Sequence, residues 1–196
     1  MHFMPDTEDE DSAAETFWPE GYKQVIREKV PASVRAELSK EKPFVEVYER
    51  LYKNRFSDHE QFLEKLADMV AVGAENGADD AFDDIVHSFL KELPLPSIRA
   101  YAYYAWPAPV TPEIAAELKS SVIAEYSKDN IYVYAYGVGY TKTFPNFDDY
   151  IRFVADLVAT GARKGANDVV ENVYRSFLKG APIMPVRRHP RRLKVW

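Results

Sequence analysis

The chain has no cysteine among its 196 residues. That excludes disulfides, thiolate zinc sites and cysteine nucleophiles, and it makes a reducing compartment, the cytoplasm, the expected location. Histidine is scarce as well: His2, His59, His87 and His189 are scattered along the chain. A zinc site needs three or four convergent ligands, so no metal is expected. No apolar run approaches the roughly 18 residues that span a bilayer, and Met1 to Pro5 lacks the basic-then-apolar succession of a signal peptide. Membrane insertion and secretion are therefore not expected. Phosphate loops are missing too, because neither G-x-G-x-x-G nor G-x-x-x-x-G-K-[ST] occurs. Gly73-Ala-Glu-Asn-Gly77 does not follow an apolar strand, and no cofactor is expected.

What the chain does have is internal repetition. Residues 62–91, set against residues 150–179 at an offset of 88, agree at Ala67, Asp68, Val70, Ala71, Gly73, Ala74, Gly77, Ala78, Asp80, Ser88, Phe89, Leu90 and Lys91. Thirteen identities in thirty positions exceed chance and read as a tandem duplication. The match extends outward: Trp18-Pro19 faces Trp106-Pro107, and Tyr48, Tyr52 and Phe56 face Tyr136, Tyr140 and Phe144. The chain divides accordingly into an acidic tail (1–17), a first copy (18–105), a second copy (106–186) and a basic tail (187–196).

Composition is that of a globular protein with a proper core, at 46% hydrophobic, 14% aromatic and 29% charged residues. The net charge of −6 is unevenly spread. Residues 1–17 carry six acids and no bases, residues 187–196 carry five bases and no acids, and the first copy is more acidic than the second. A basic partner would be drawn to the first half, most strongly at low salt.

Hydrophobic periodicity points to helices. Tyr22, Val25, Ile26, Val30, Val34 and Leu38 recur at helical spacing, with Pro31 expected to kink or divide the element. In the second copy Thr111-Pro112-Glu113 reads as an N-cap followed by proline at the first helical position. Phe44, Val47, Tyr48, Leu51 and Tyr52 share one helical face, whereas residues 131–140, rich in tyrosine and valine with two glycines, favour a strand by propensity. Helix is the preferred reading for both, with strands at 44–52 and 131–140 as the alternative. Ser57 and Glu60 have capping-box spacing before the stripe Phe62, Leu66, Met69 and Val70. Gly77 and Gly165 look like helix stops, and Asp79 and Asn167 like the N-caps of a following helix. Each copy would then hold an antiparallel hairpin whose seam of Ala67, Ala71, Gly73, Ala74, Gly77 and Ala78 lets the two axes approach closely. Ser97 is expected to cap a short linker helix. The expected fold is all-α: a duplicated four-to-five-helix module with pseudo-symmetry, or, failing that, α+β.

Candidate sites are few. Asp79, Asp80, Asp83 and Asp84 lie where a helix start is expected, and a helix dipole favours acids there without any ligand. Their spacing is not that of an EF-hand loop, which leaves an acidic docking patch as the functional reading. Tyr101, Tyr103, Tyr104, Trp106, Tyr132, Tyr134, Tyr136 and Tyr140 form a dense aromatic set, suited equally to a core margin or an interface. Tyr134 aligns with Glu46 and is expected to be exposed. Ser88 and Ser176 recur as Ser-Phe-Leu-Lys without a nucleophile elbow, so helix packing outweighs a Ser-Lys reading. Arg187, Arg188, Arg191, Arg192 and Lys194 could contact phosphate, but an acidic body would repel nucleic acid, and a flexible or self-docking tail is preferred. The expected role is a non-catalytic interaction protein, an inhibitor, an antitoxin- or immunity-like neutraliser or an adaptor, that meets a protein partner, with a basic one favoured, through acidic and aromatic surface. A regulator with a small-ligand cleft between the copies, or a nucleic-acid binder using the basic tail, are the competing readings.

Overall fold

The computed structural model describes residues 21–40, 42–97, 109–127 and 130–189, and among them helix dominates and no strand occurs. Helix α1 spans Gly21–Leu38, α2 Lys42–Val47, α3 His59–Leu90, α4 Pro112–Tyr126, α5 Asn130–Ala135 and α6 Phe147–Leu178. Helices α2 and α5 each run on into a π-helical turn, Tyr48–Tyr52 and Tyr136–Tyr140. The bounds of α2, α3 and the first π turn all recur 88 residues later in α5, α6 and the second. Residues 42–52 and 130–140 are thus helical, which removes the strand alternative. Phe44, Val47, Tyr48 and Tyr52 are buried while Glu46, Glu49 and Arg50 face solvent, so the 3.6-residue period outweighed β propensity.

The largest departure from expectation is at Gly77 and Gly165. No hairpin forms within either half: α3 and α6 are continuous helices of 32 residues, about 48 Å at 1.5 Å per residue. Neither glycine adopts the left-handed conformation a stop requires, since the positive φ values belong to Glu92 and Gly180. The glycines serve a crossing instead. A Cβ on Gly73 would run into the backbone of Gly165, one on Gly77 into that of Gly161, and the reverse holds for both partners. The small-residue seam therefore joins the long helices of opposite halves. Among the described residues each half holds three α-helices and one π-helical turn.

Helix α1 packs on α3, α4 packs on α6, and α1 and α4 meet each other. One core cluster runs through all of them. Pro31 does not divide α1; burial of Ile26, Val30, Val34 and Leu38 on either side holds the helix together against a cost of roughly 3 kcal/mol for an internal proline. The cap of α3 is Asp58, one residue beyond the expected Ser57, with its side chain accepting from the Gln61 N–H at 2.8 Å. Thr111 caps α4 as expected, with Pro112 at the first position. The linker helix expected after Ser97 lies outside the described residues.

The two π turns lock the halves together. Tyr52 stacks on Phe62 and Tyr140 on Tyr150, each at 5.5 Å between ring centroids. Their hydroxyls then reach across: Tyr52 donates to the Ala181 carbonyl and Tyr140 to that of Leu93, both at 3.2 Å. Those acceptors sit just past the ends of the opposite long helices. Both ends close in a Schellman arrangement, Leu93 N–H to Ser88 O and Ala181 N–H to Ser176 O, each at 2.8 Å.

Two predictions follow from these positions. Gly77→Ala or Gly165→Ala forces the backbones apart at the crossing and should cost about 2 kcal/mol or more in chemical denaturation, whereas Gly137→Ala, with nothing within 4 Å, should be neutral or mildly stabilising. Glu92 holds a φ of 55° where the other half has glycine at 62°. Glu92→Gly should therefore raise stability by about 1 kcal/mol, read as a higher denaturation midpoint.

Candidate functional site

The polar chemistry concentrates on one face of α3, about midway along it. Glu75 is 2% exposed and carries the charge of a carboxylate into the core margin. It is held by two guanidinium groups, Arg27 from α1 on Oε1 and Arg188 from the C-terminal segment on Oε2 at 2.7 Å. A buried carboxylate is costly unless paired and hydrogen-bonded, and this bidentate sharing meets that condition. Beside it, Asn76 uses both ends of its amide on main chain: Nδ2 donates to the Arg187 carbonyl and Oδ1 accepts from the His189 N–H, each at 2.8 Å. One turn further on, Asp79 accepts a short hydrogen bond from the Tyr22 hydroxyl, and Asp80 meets His189 Nε2 at 3.2 Å.

Burial sets the electrostatics here. Desolvation raises the Asp79 carboxyl above its ordinary value, partly countered by the Tyr22 hydrogen bond. Desolvation likewise drives the Tyr22 hydroxyl well above the ordinary range, with the Asp79 charge adding to it. In the other half the residues at these positions differ: Arg163, Lys164 and Asn167 stand where Glu75, Asn76 and Asp79 do, and Val110 stands where Tyr22 does. Asn167 is buried with neither amide atom hydrogen-bonded.

The expected site residues are scattered by the fold. Asp79, Asp80, Asp83 and Asp84 lie inside α3, far past its first turn, so the helix-dipole account of them does not hold. Asp79 is turned inward to Tyr22, Asp80 receives His189, Asp83 is half-buried and Asp84 exposed. Tyr132 is buried and stacked on Tyr126 at 4.1 Å, and Tyr136 packs on Phe147 and Tyr150 while its hydroxyl donates to Phe144 O. Tyr134 stands out from the surface at 64% exposure. Tyr101, Tyr103, Tyr104, Arg191, Arg192 and Lys194 lie outside the described residues. Arg187 and Arg188 belong to a segment, residues 181–189, that docks on the body through Ile183 and Val186. The Ser88 and Ser176 hydroxyls are spent on carbonyls of their own helices, at 2.8 and 2.9 Å.

Sequence reasoning passed over Glu75, Asn76, Arg27, Val133 and Val138. The offset alignment held a signal for some of them, since it sets Glu75 against Arg163 and Val138 against Arg50. Those two pairs mark where the halves differ most in character. In the first half the outer face of α2 and its π turn carries Glu46, Glu49 and Arg50, with ion pairs Lys42–Glu46 and Lys53–Glu49. In the second half the same face carries Tyr134, Gly137 and Val138, and Val138 is 64% exposed beside the 46% exposed Val133.

Two open clefts adjoin the α3–α6 crossing. One of about 310 Å³ is floored by Gly73, Gly77, Gly161 and Gly165 and edged by Asp80, Lys164 and Asp168. The other, about 530 Å³, lies under residues 181–189 and is walled by Met69, Val169 and Val173 of the two long helices. Partial burial raises the Asp168 carboxyl above its ordinary value. Among the described residues no group of three or more histidines and carboxylates could hold a metal ion, and no helix is long and apolar enough to cross a membrane. No protein-family model, no curated protein and no solved structure matches the chain.

The raised Asp79 carboxyl has a sign that can be checked. The folded state holds this proton more tightly than the unfolded chain, so the associated stability is present below the ordinary value of 3.8 and is lost as pH rises through the folded-state value. Asp79→Asn keeps an acceptor for Tyr22 and removes the buried charge. Its denaturation midpoint should exceed that of the unsubstituted chain at pH 7, with the difference closing as pH falls toward 4.

Proposed function

We propose that the chain is a tandem duplication of one helical module that acts as a non-catalytic protein-interaction module, an inhibitor, neutraliser or adaptor working in the cytoplasm. The duplication is supported by the common offset of 88 in the helix bounds and by the reciprocal Gly73–Gly165 and Gly77–Gly161 approaches. It is supported again by the exchanged hydrogen bonds of Tyr52 and Tyr140. Contacts that repeat with the halves interchanged are what a twofold relation between two copies produces.

The observation that carries the functional reading is the one-sided divergence of the π-turn surface. One module displays Glu46, Glu49 and Arg50 there and folds. The other displays Tyr134, Gly137 and Val138, leaving two large apolar side chains 64% exposed. Tyr134 meets Phe89 edge-on yet stays largely exposed, and exposed tyrosine and valine around a bare glycine are the makings of an interface anchor. Nucleic acid is the weaker candidate partner, because Arg188 is already engaged by Glu75 and the body is acidic. The clefts beside the glycine crossing favour a second reading, a regulator that takes a small polar ligand between the halves.

The first module supplies its own test. Tyr134→Glu with Val138→Arg installs on α5 and the second π turn the residues that fold on α2 and the first. We expect a stoichiometric protein partner to co-purify with the unsubstituted chain from native extract, and its recovery to fall at least about tenfold with the double variant at unchanged thermal stability. Recovery of the chain alone, or retention of the partner by the variant, would overturn the reading.

A further inference from the structure

The contacts on α3 form a reader for an extended segment of polypeptide. Asn76 takes the carbonyl of one residue and the N–H of the next but one, leaving the residue between them aimed at Glu75. Because both Asn76 contacts are to main chain, they accept any sequence. Glu75 supplies the selectivity: its carboxylate is buried, already carries Arg27 on one oxygen, and offers the other to a planar, charged donor, which suits arginine better than lysine. Asp80 adds an acceptor for the residue that follows.

From this we infer that the Glu75–Asn76–Asp80 face of α3 is a docking site for an arginine-bearing extended segment of a protein partner, and that residues 186–189 occupy it as a built-in competitor. The inference rests on the reading of the chain as an interaction module and names the chemistry of the segment it takes. Charge complementarity commits the site to a basic occupant, since Glu75 and Asp80 face it and Arg27 is the cation already neutralised there. Arg187, Arg188 and His189 are all exposed, so an outside segment can reach the contacts they make. The exposed His189–Asp80 pair contributes little, whereas the 58% exposed Arg188 is held more firmly because its partner Glu75 is buried. The Asn76 and Glu75 contacts, the packing of Val186 and the tether, which supplies a high effective concentration, together set what an outside segment must exceed.

The test uses a fluorescein-labelled peptide of the resident sequence, Pro-Val-Arg-Arg-His-Pro, titrated against the full chain and followed by anisotropy. Arg188→Ala in the protein weakens the resident segment and should tighten peptide binding at least about tenfold over the unsubstituted chain. Adding Asn76→Ala to that variant should abolish binding. So should alanine in the peptide at the second arginine, a change that leaves the fold of the protein untouched. Equal binding to the unsubstituted and Arg188→Ala chains, or binding indifferent to the peptide arginine, overturns the proposal. Should the peptide fail while the Tyr134 and Val138 substitutions still release a protein partner, the groove is only a seal for its own tail and the interaction reading stands. Failure of both removes the reading and the site together.

Discussion

The approach of two helix backbones at four glycines is the constraint from which the rest of this structure takes its shape. Each glycine inside a helix costs on the order of 1 kcal/mol relative to alanine. That cost is offset only if the missing side chains let another backbone come close enough for dense packing and for weak Cα–H contacts to carbonyls. Gly73, Gly77, Gly161 and Gly165 do this for one another, and α3 and α6 can then run straight past the point where the sequence suggests they should turn. With those two helices fixed, α1 packs on α3, α4 packs on α6 and on α1, and the π turns reach over to the far ends.

Close packing at the centre leaves the surfaces of the halves free to differ, and they differ where a partner would feel it. On the long helices, Glu75 in one half stands against Arg163 in the other, a reversal of charge, and neutral Asn76 stands against Lys164. On the π turns, charge in one half stands against exposed apolar surface in the other. The two halves thus carry different surface chemistry on helices whose bounds recur at one offset. The acidic face is filled by the chain's own C-terminal segment, and the apolar face is not filled by any described residue.

Buried Glu75 illustrates how such a face is maintained. Arg27 neutralises it from α1 whether or not Arg188 is seated, so departure of the C-terminal segment does not strand a bare carboxylate. Removal of one member of a buried pair is severe when nothing else compensates; here a second cation remains. The site can therefore exchange its occupant without unfolding the helices that form it.

Periodicity and repetition in the amino-acid order determined that the chain is helical, which faces of α1, α3, α4 and α6 are buried, where α4 is capped, and that Tyr134 is exposed. These depend on neighbours a few residues apart, and a linear string records such neighbours faithfully. Tertiary structure alone decided whether Gly77 ends a helix or lies at a crossing, because the two roles share a residue type and differ only in which backbone stands across the seam. It also decided that Pro31 would be tolerated, that Asp79 would face Tyr22, and that Glu75 and Asn76 would receive Arg188 and the chain on either side of it. Each of those outcomes joins groups that meet only after the long helices have packed, and the packing, not local preference, carries most of the energy.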